Sequence, residues 1–320
     1  MTDTYGILTE TITVTMLVHV NPSLRLPSHL ATETASQPDA WAAAAETARA
    51  HASVLPRAGE RLAVIGCGTS LYVARAFAAL RESGGHGLTD AWPASDARLD
   101  RGYDRILAIS RSGTTSEVLD ALRGYTGDAQ VTVICSSPGT PLLDLGQPVL
   151  IDEVDEQSVV QTRFATTTLA ILRWHLGEDL AAAIAQAREV LAEDASAFGH
   201  LVDAEQVTFV GMGLGAALAE EAALKLRESC QAWAESYWAT EYRHGPISIA
   251  APGRVVWALG PLVRDFARDV AATGAQLEHR DIDPMAELVR VHRMCALRAA
   301  AAGLDPDAPR NLTRSIILEA

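Results

Sequence analysis

The sequence predicts an α/β protein made of two doubly wound subdomains, each a parallel sheet flanked by helices, in tandem duplication. Three observations carry that prediction. A strand–turn–helix unit occurs twice, roughly 145 residues apart, a spacing that fits duplicated domains and not a solenoid. Short apolar runs alternate with amphipathic, Ala-rich stretches, the order that builds parallel sheets. The chain of 320 residues, 48% of them apolar, can fill cores of that size.

Residues 1–30 are expected to form an N-terminal arm. The Thr-rich stretch 9–20 suits a strand, a flexible arm or residues ahead of the true start, and its composition does not choose among them. With no basic start and no long apolar run, neither a signal peptide nor a membrane anchor is expected. The first unit is "ERLAVIGCGTSLYVARAFAALRE" (60–82). Its apolar run 62–65 reads as a buried parallel strand, its G-x-G as a tight turn and the rest as a helix. Further strand candidates follow at 105–110, 131–136 and 148–153. A long Ala-rich stretch, 165–198, connects the halves. The second unit, "EQVTFVGMGLGAALAEEAALKLRE" (205–228), repeats the first, and 254–260 supplies its next strand. The expected division is 31–199 for the first subdomain with its connecting helix, and 200–320 for the second with a tail that returns to the active site. "LDPDAPRN" (304–311), with its proline stops, is the turn that carries this tail back.

A formal charge of −14 argues against binding nucleic acid or anionic lipid over a broad surface. It leaves room for a local phosphate pocket, which uses its own donors. Cys67, Cys135, Cys230 and Cys295 form no C-x-x-C pair and match no zinc spacing, as expected of reduced thiols in a cytoplasmic protein.

The stretch "AISRSGTTSEVL" (108–119) places Ser110, Ser112, Thr114 and Thr115 between a strand and a helix. Helix N-termini present unpaired N–H groups and a positive dipole end, the hydroxyls add donors, and Gly113 lets the backbone come close. Thr69 and Ser70 in "GCGTS" offer a second pair at the end of the preceding strand. Capping alone also explains such residues. The turn at 66–70 lacks the third glycine of a dinucleotide fingerprint and has no acidic ribose partner, which disfavours a nicotinamide cofactor.

Five segments in order, "GCGTS", "SRSGTTSEVL", "EQSVVQTRFATTTLAIL", "EAALKLRESCQAWAESYWATEYRHGP" and "PRNLTRSIILE", resemble the double sugar-isomerase (SIS) domain family, most closely the isomerase half of glucosamine-6-phosphate synthase. The resemblance runs over about residues 31–320, starting at "ETASQPDAW". It implies a phosphosugar, a hexose or hexosamine 6-phosphate, held between the two subdomains. It also implies a homodimer with shared active sites, a cytoplasmic location, and no metal or cofactor. Thr69, Ser70, Ser110, Ser112 and Thr115 would hold the phosphate. Arg111 replaces the family's frequent glutamine and would add charge-assisted contact. Val159 and Gln161 would line the sugar. Glu228 falls on the proton-shuttling glutamate, and His244 on the ring-opening histidine donated by the neighbouring subunit. Two departures stand out. A glutaminase domain is not expected, so glutamine is not the expected ammonia source. Arg314 in "LTRS" replaces the lysine that forms an imine with the ketose.

The chemistry follows from these residue types. Glu221, Lys225 and Glu228, at i, i+4 and i+7, share one helix face. Such a stripe is commonly a solvated ion-pair ladder. On the resemblance, Glu228 is instead a base that moves a proton between adjacent carbons of an opened sugar. A guanidinium stays protonated and is no amine nucleophile, so Arg314 is expected to stabilise an enediolate or hold phosphate. Lys225 is the only lysine in the chain, and it lies within a motif. Enolisation without covalent capture leads to isomerisation, to isomerisation with loss of ammonia, or, from an N-acetylated sugar, to elimination of the 3-hydroxyl. Isomerase or deaminase stands first and dehydratase second. A non-catalytic phosphosugar-binding regulator is the reading from another class.

Overall fold

The structure, a computed structural model, describes residues 28–318. The expected arm at 1–30 lies almost wholly outside them. The chain opens with helices α1 (His29–Ala35) and α2 (Gln37–Ala50). The first half continues through β1 (Leu62–Gly66), α3 (Thr69–Ser83), β2 (Thr89–Pro93), β3 (Arg105–Ile109), α4 (Ser116–Arg123), β4 (Gln130–Cys135) and β5 (Gln147–Leu150). Helices α5 (Arg163–His175), α6 (Ala181–Ala192) and α7 (Gly199–Val202) lead to the second half. There follow β6 (Gln206–Gly211), α8 (Leu214–Cys230), β7 (Ala234–Trp238), α9 (Ala239–Tyr242), β8 (Arg254–Leu259), α10 (Phe266–Ala271), β9 (Gln276–His279) and α11 (Pro284–Ala301).

The strands form two all-parallel sheets, ordered β2-β1-β3-β4-β5 and β7-β6-β8-β9. In both, the first strand of the repeated unit lies inside the sheet, and the chain reverses direction across it. That switch leaves a crevice at the carboxyl ends of the strands. The repeat holds at the level of the backbone. Gly68 and Gly213, which precede α3 and α8, share φ 53° with ψ −124° and −118°. A side chain is disfavoured in that region, which is why both turns carry glycine there.

Period-two alternation builds the layers. Leu62, Val64, Leu107 and Ile109 face a central helical layer, while Ala63, Ile65, Ile106 and Ala108 face the outer one. In the second sheet Val207, Phe209, Val255 and Trp257 join the same central core, whereas Val210, Val256 and Ala258 face outward. One core therefore runs between the sheets, and α3 and α8, the two helices of the repeat, pack against each other within it.

The expected strands at 62–65, 105–110, 131–136, 148–153, 207–210 and 254–260 all form, within a few residues. The edge strands β2, β7 and β9 were not foreseen. They are short and only partly buried, so they lack a continuous apolar run. The Ala-rich connector is two helices and not one, interrupted at Gly177, whose φ of 86° ends α5.

Gly215 gives a direct test of how tightly α8 sits on the second sheet. A Cβ there would lie 2.1 Å from the backbone oxygen of Leu259. Gly215→Ala is expected to lower the unfolding free energy by about 3 kcal/mol, because rigid backbone must move apart. Urea titration with matched m-values checks this.

Candidate functional site

The site is built where α3 and α8 cross. Lys225, on α8, is the only lysine in the chain. It is 1% exposed, and its ammonium donates to the Thr69 hydroxyl at 2.9 Å and to Glu228 Oε2 at 2.5 Å, with Glu221 Oε1 at 3.4 Å. Thr69 in turn donates to Glu221 Oε1 at 3.3 Å. The triad at 221, 225 and 228 is thus a buried charge cluster and not a solvated stripe. It joins the first turn of α3 in one half to the last turns of α8 in the other. Only Glu228 reaches solvent: its side chain is 19% exposed and faces a cleft of about 390 Å³. Leu224, Arg227, Gln231, Arg310, Asn311 and Leu312 line that cleft beside Glu228.

Burial drives the Glu221 carboxyl up to about 7; the Lys225 ammonium opposes that rise and the Glu228 carboxylate adds to it. Burial pulls the Lys225 ammonium down, but Glu221 and Glu228 outweigh it and leave the ammonium more firmly protonated than an ordinary lysine. Glu156 adds to the same stabilisation, which places a further carboxylate within electrostatic reach of Lys225. Behind the cluster, His292 on α11 is 1% exposed, and burial, reinforced by Lys225, drives it down to about 3 and so keeps it neutral. Its Nδ1 pairs with the Gln37 amide at 3.1 Å, and Gln37 accepts from Thr166.

The hydroxyl turn between β3 and α4 forms a cup. Ser110 Oγ lies 3.4 Å from Thr115 Oγ1 and accepts from the Gly113 amide; Ser112 Oγ accepts from the amide and hydroxyl of Thr114. Gly113 lies at φ 65°, and a Cβ there would collide with Thr140 Oγ1 at 2.1 Å, so glycine is required where the cup turns. Ser110 and Ser112 are buried, Thr115 half-buried. Ser70, also buried, lies in the first turn of α3 beside Thr69.

The other expected residues divide. Arg111 is 2% exposed, and among the described residues none of its hydrogen bonds goes to a cup hydroxyl. Its guanidinium donates to the Ser158 carbonyl at 2.9 Å and the Arg314 carbonyl at 3.1 Å, and faces Glu156 at 3.6 Å. Arg314 pairs with Asp155 and donates to the Glu156 carbonyl and to Ser137 Oγ. Val159 is half-buried, and its amide donates to the Asp307 carbonyl at 3.1 Å. Gln161 keeps a buried side-chain oxygen without a hydrogen-bond partner. His244 stands apart: it is exposed on the turn after α9, and among the described residues no hydrogen bond or ion pair ties its ring to Glu228, Lys225 or the cup. Of the aromatic residues before it, Tyr242 packs in the core against Tyr237 and Phe266, whereas Trp233 and Trp238 are exposed.

Several residues that matter here went unread in the sequence. Asp307, in the expected proline turn, caps α1 by accepting from the His29 and Leu30 amides. Glu156 caps α5 by accepting from Thr162 and Arg163. Glu33 accepts from the Gln157 amide at 2.6 Å. Burial raises its carboxyl to about 7 against that bond, and Glu156 adds to the rise.

Comparison with known proteins follows the same outline. No protein-family model matches the chain. Its sequence is 27% identical over 306 residues to glutamine–fructose-6-phosphate aminotransferase (isomerizing) of Methanothermobacter thermautotrophicus, covering 81% of this chain and 52% of that protein. The Leifsonia xyli protein of the same name is 24% identical over 373 residues, with 92% and 59% covered. The chain therefore spans little more than half the length of the curated relatives it matches. The structure superposes on the C-terminal domain of glucosamine-fructose-6-phosphate aminotransferase from Francisella tularensis with a TM-score of 0.71 at 20% identity, over 88% of this chain and 98% of that one. This is a double sugar-isomerase fold. Glucosamine-6-phosphate deaminase of Thermotoga maritima (TM-score 0.70, 21% identity, 91% and 100% covered) shares this SIS fold. So does tagatose-6-phosphate ketose/aldose isomerase of Escherichia coli (0.72, 17%, 90% and 97%).

The charge cluster makes the stability of this chain pH-dependent. Glu221 holds its proton more tightly folded than unfolded. Its contribution is therefore complete below about pH 4.5 and is lost as pH rises towards about 7. Glu33 and Glu287, both also raised to about 7, act in the same direction. Glu221→Gln is expected to flatten the fall in unfolding free energy across that window by up to about 1.4 kcal/mol per pH unit. Denaturant titrations at a series of pH values check it; an unchanged slope contradicts the assignment.

Proposed function

We propose that this SIS protein is an enzyme that enolises a hexose or hexosamine 6-phosphate, as an isomerase or deaminase, without an imine between the sugar and the protein; in the deaminase case the imine is the substrate's own, at C2, and water hydrolyses it to a ketone and ammonia. One observation carries the reading: the Glu228 carboxylate opens into a cleft while a buried ammonium holds it from behind and ties it to the turn expected to help grip phosphate. A base serves such a reaction when it is fixed in place and the reacting carbon is brought to it.

In this reading the phosphate rests in the cup of Ser110, Ser112 and Thr115, with Ser70 alongside. The opened sugar extends past Val159 and Gln161 towards Glu228. Glu228 removes the proton from the carbon next to the carbonyl, and the electron pair moves to the carbonyl oxygen to give an enediolate. Return of the proton to the neighbouring carbon completes an aldose–ketose exchange. The Lys225 ammonium, donating to Glu228 Oε2, fixes that carboxylate from behind. It is no nucleophile, because it stays protonated and is engaged with Thr69, Glu221 and Glu228. Arg314 cannot supply an amine either. The same absence of covalent capture suits the second reading, a dehydratase: from N-acetylglucosamine 6-phosphate the C1–C2 enolate would re-form the aldehyde, make a C2–C3 double bond and lose the protonated 3-hydroxyl as water.

His244 serves ring opening only if a neighbouring subunit brings it in. Its exposure in its own chain supports that arrangement, as do Trp233 (72% exposed), Trp238 (52%) and Met212 (38%), with the Thr240 hydroxyl 3.9 Å from the Met212 sulfur. We therefore propose a homodimer with shared sites.

Two outcomes are expected. In D2O, proton NMR of glucosamine 6-phosphate and N-acetylglucosamine 6-phosphate should show deuterium uptake at C2, with ammonia or water lost according to the true reaction. Glu228→Gln should abolish uptake while keeping phosphosugar binding within about threefold. No uptake by the wild-type protein from any hexose or hexosamine 6-phosphate would leave the regulator reading in its place. Secondly, Glu228→Gln and His244→Ala chains, each inactive, should regain about one quarter of wild-type activity when refolded together, because half of the mixed dimers' sites are intact. Failure to regain activity in a verified mixed dimer removes the shared site.

A further inference from the structure

The cup between β3 and α4 is already occupied by the chain itself. Ser112 Oγ donates to Ser315 Oγ at 3.1 Å, and Thr114 Oγ1 and Thr115 Oγ1 lie 3.0 and 3.5 Å from the same atom. The Ser116 amide, the first of α4, donates to the Ile316 carbonyl at 3.1 Å, and the Leu318 amide returns a bond to Ser116 Oγ. Converging hydroxyls and a free helix amide are what a phosphate oxygen needs. Here both positions are filled by neutral oxygen atoms of residues 315–316.

What holds the segment there is a ring of charges built on the two arginines that depart from the family pattern. The Arg111 guanidinium donates to the Arg314 carbonyl; the Arg314 guanidinium donates to the Glu156 carbonyl; the Glu156 carboxylate faces Arg111. Asp155 completes it by pairing with Arg314 while accepting from Ser136 Oγ at 2.6 Å. Arg111 and Glu156 are 1% and 0% exposed at their side chains, so half of this ring is sealed, whereas Arg314 and Asp155, at 35% and 36%, can come apart. Ile316, Ile317 and Leu318 remain 48%, 70% and 58% exposed, so the segment lies on the protein without burying its apolar side chains.

We propose that residues 314–318 are an internal occupant of the phosphate cup, with Ser315 Oγ standing where a phosphate oxygen binds, and that Asp155 is the positioning residue that keeps the segment in place. This rests on the phosphosugar reading above. Two oxygen atoms cannot share one set of donors, so an incoming phosphate displaces Ser315, and the Arg314–Asp155 pair is the joint that opens. The charge that a dianionic phosphate brings into the cup repels the Asp155 carboxylate, which weakens its hold on Arg314 and favours that opening.

The test uses the whole chain, calorimetric titration with fructose 6-phosphate and with inorganic phosphate, and brief trypsin digestion read by mass spectrometry at Arg310 and Arg314. Ser315→Gly and Asp155→Asn are expected to bind both ligands about five- to tenfold more tightly than wild type. Asp155→Asn should be cut faster after Arg314 without ligand, and Asp155→Glu should restore the wild-type rate. In the wild-type protein, ligand should speed that cut. The proposal is overturned if Ser315→Gly binds either ligand as weakly as wild type or more weakly, or if ligand protects Arg314 from trypsin, since the segment would then be part of the grip and not its occupant. If no variant and no wild-type protein binds either ligand, the phosphosugar reading falls with it. Unaltered affinity with clear binding removes the occupant alone.

Discussion

A single buried ammonium organises the centre of this molecule. Lys225 lies between two carboxylates of its own helix and a hydroxyl from the opposite half, at a depth where an unpaired charge would cost several kcal/mol. That penalty is offset only while Thr69, Glu221 and Glu228 all stay in place. The crossing of α3 and α8 is thereby fixed in register as well as in packing. Hydrophobic burial would tolerate a small slide of one helix along the other; a buried ion cluster does not. The position of Glu228 at the mouth of the cleft is a consequence of this constraint.

The sequence made the architecture legible because parallel strands buried on both faces leave continuous apolar runs, and because the Gly68 and Gly213 turns repeat. It hid the edge strands, whose half-exposed residues such as Glu235 and Glu278 look like loop. Within the site, the face shared by Glu221, Lys225 and Glu228 followed from helical period alone. Its burial did not, since nothing in that spacing tells a solvated stripe from one covered by a second helix. Arg111 shows the opposite limit. Its place beside two cup serines suggested a phosphate contact, but a side chain's direction depends on which partner is nearest in space. Glu156 and the Arg314 carbonyl lie far off in sequence. The same holds for Asp155, Asp307 and Ser315, each engaged through a partner more than a hundred residues away or across a fold junction.

The two arginines also change how the end of the fold is attached. A lysine at position 314 would offer one point charge on a flexible stem. The guanidinium offers several donors in a plane, and here they reach a carboxylate, a backbone carbonyl and a hydroxyl together. Compared with the lysine of the pattern it resembles, Arg314 lacks a nucleophilic amine and gives a firmer anchor. Arg111 reinforces that anchor from the buried side, on a neighbouring backbone carbonyl.

The scarcity of lysine has a consequence of its own. Every side-chain cation of this protein but one is a guanidinium or an imidazolium. Chain grown with lysine carrying 13C at the ε carbon and 15N at the amine would therefore give one side-chain signal, and that signal would come from the junction of the two halves. The position and width of that resonance would report the protonation, hydration and opening of the crevice with no assignment needed.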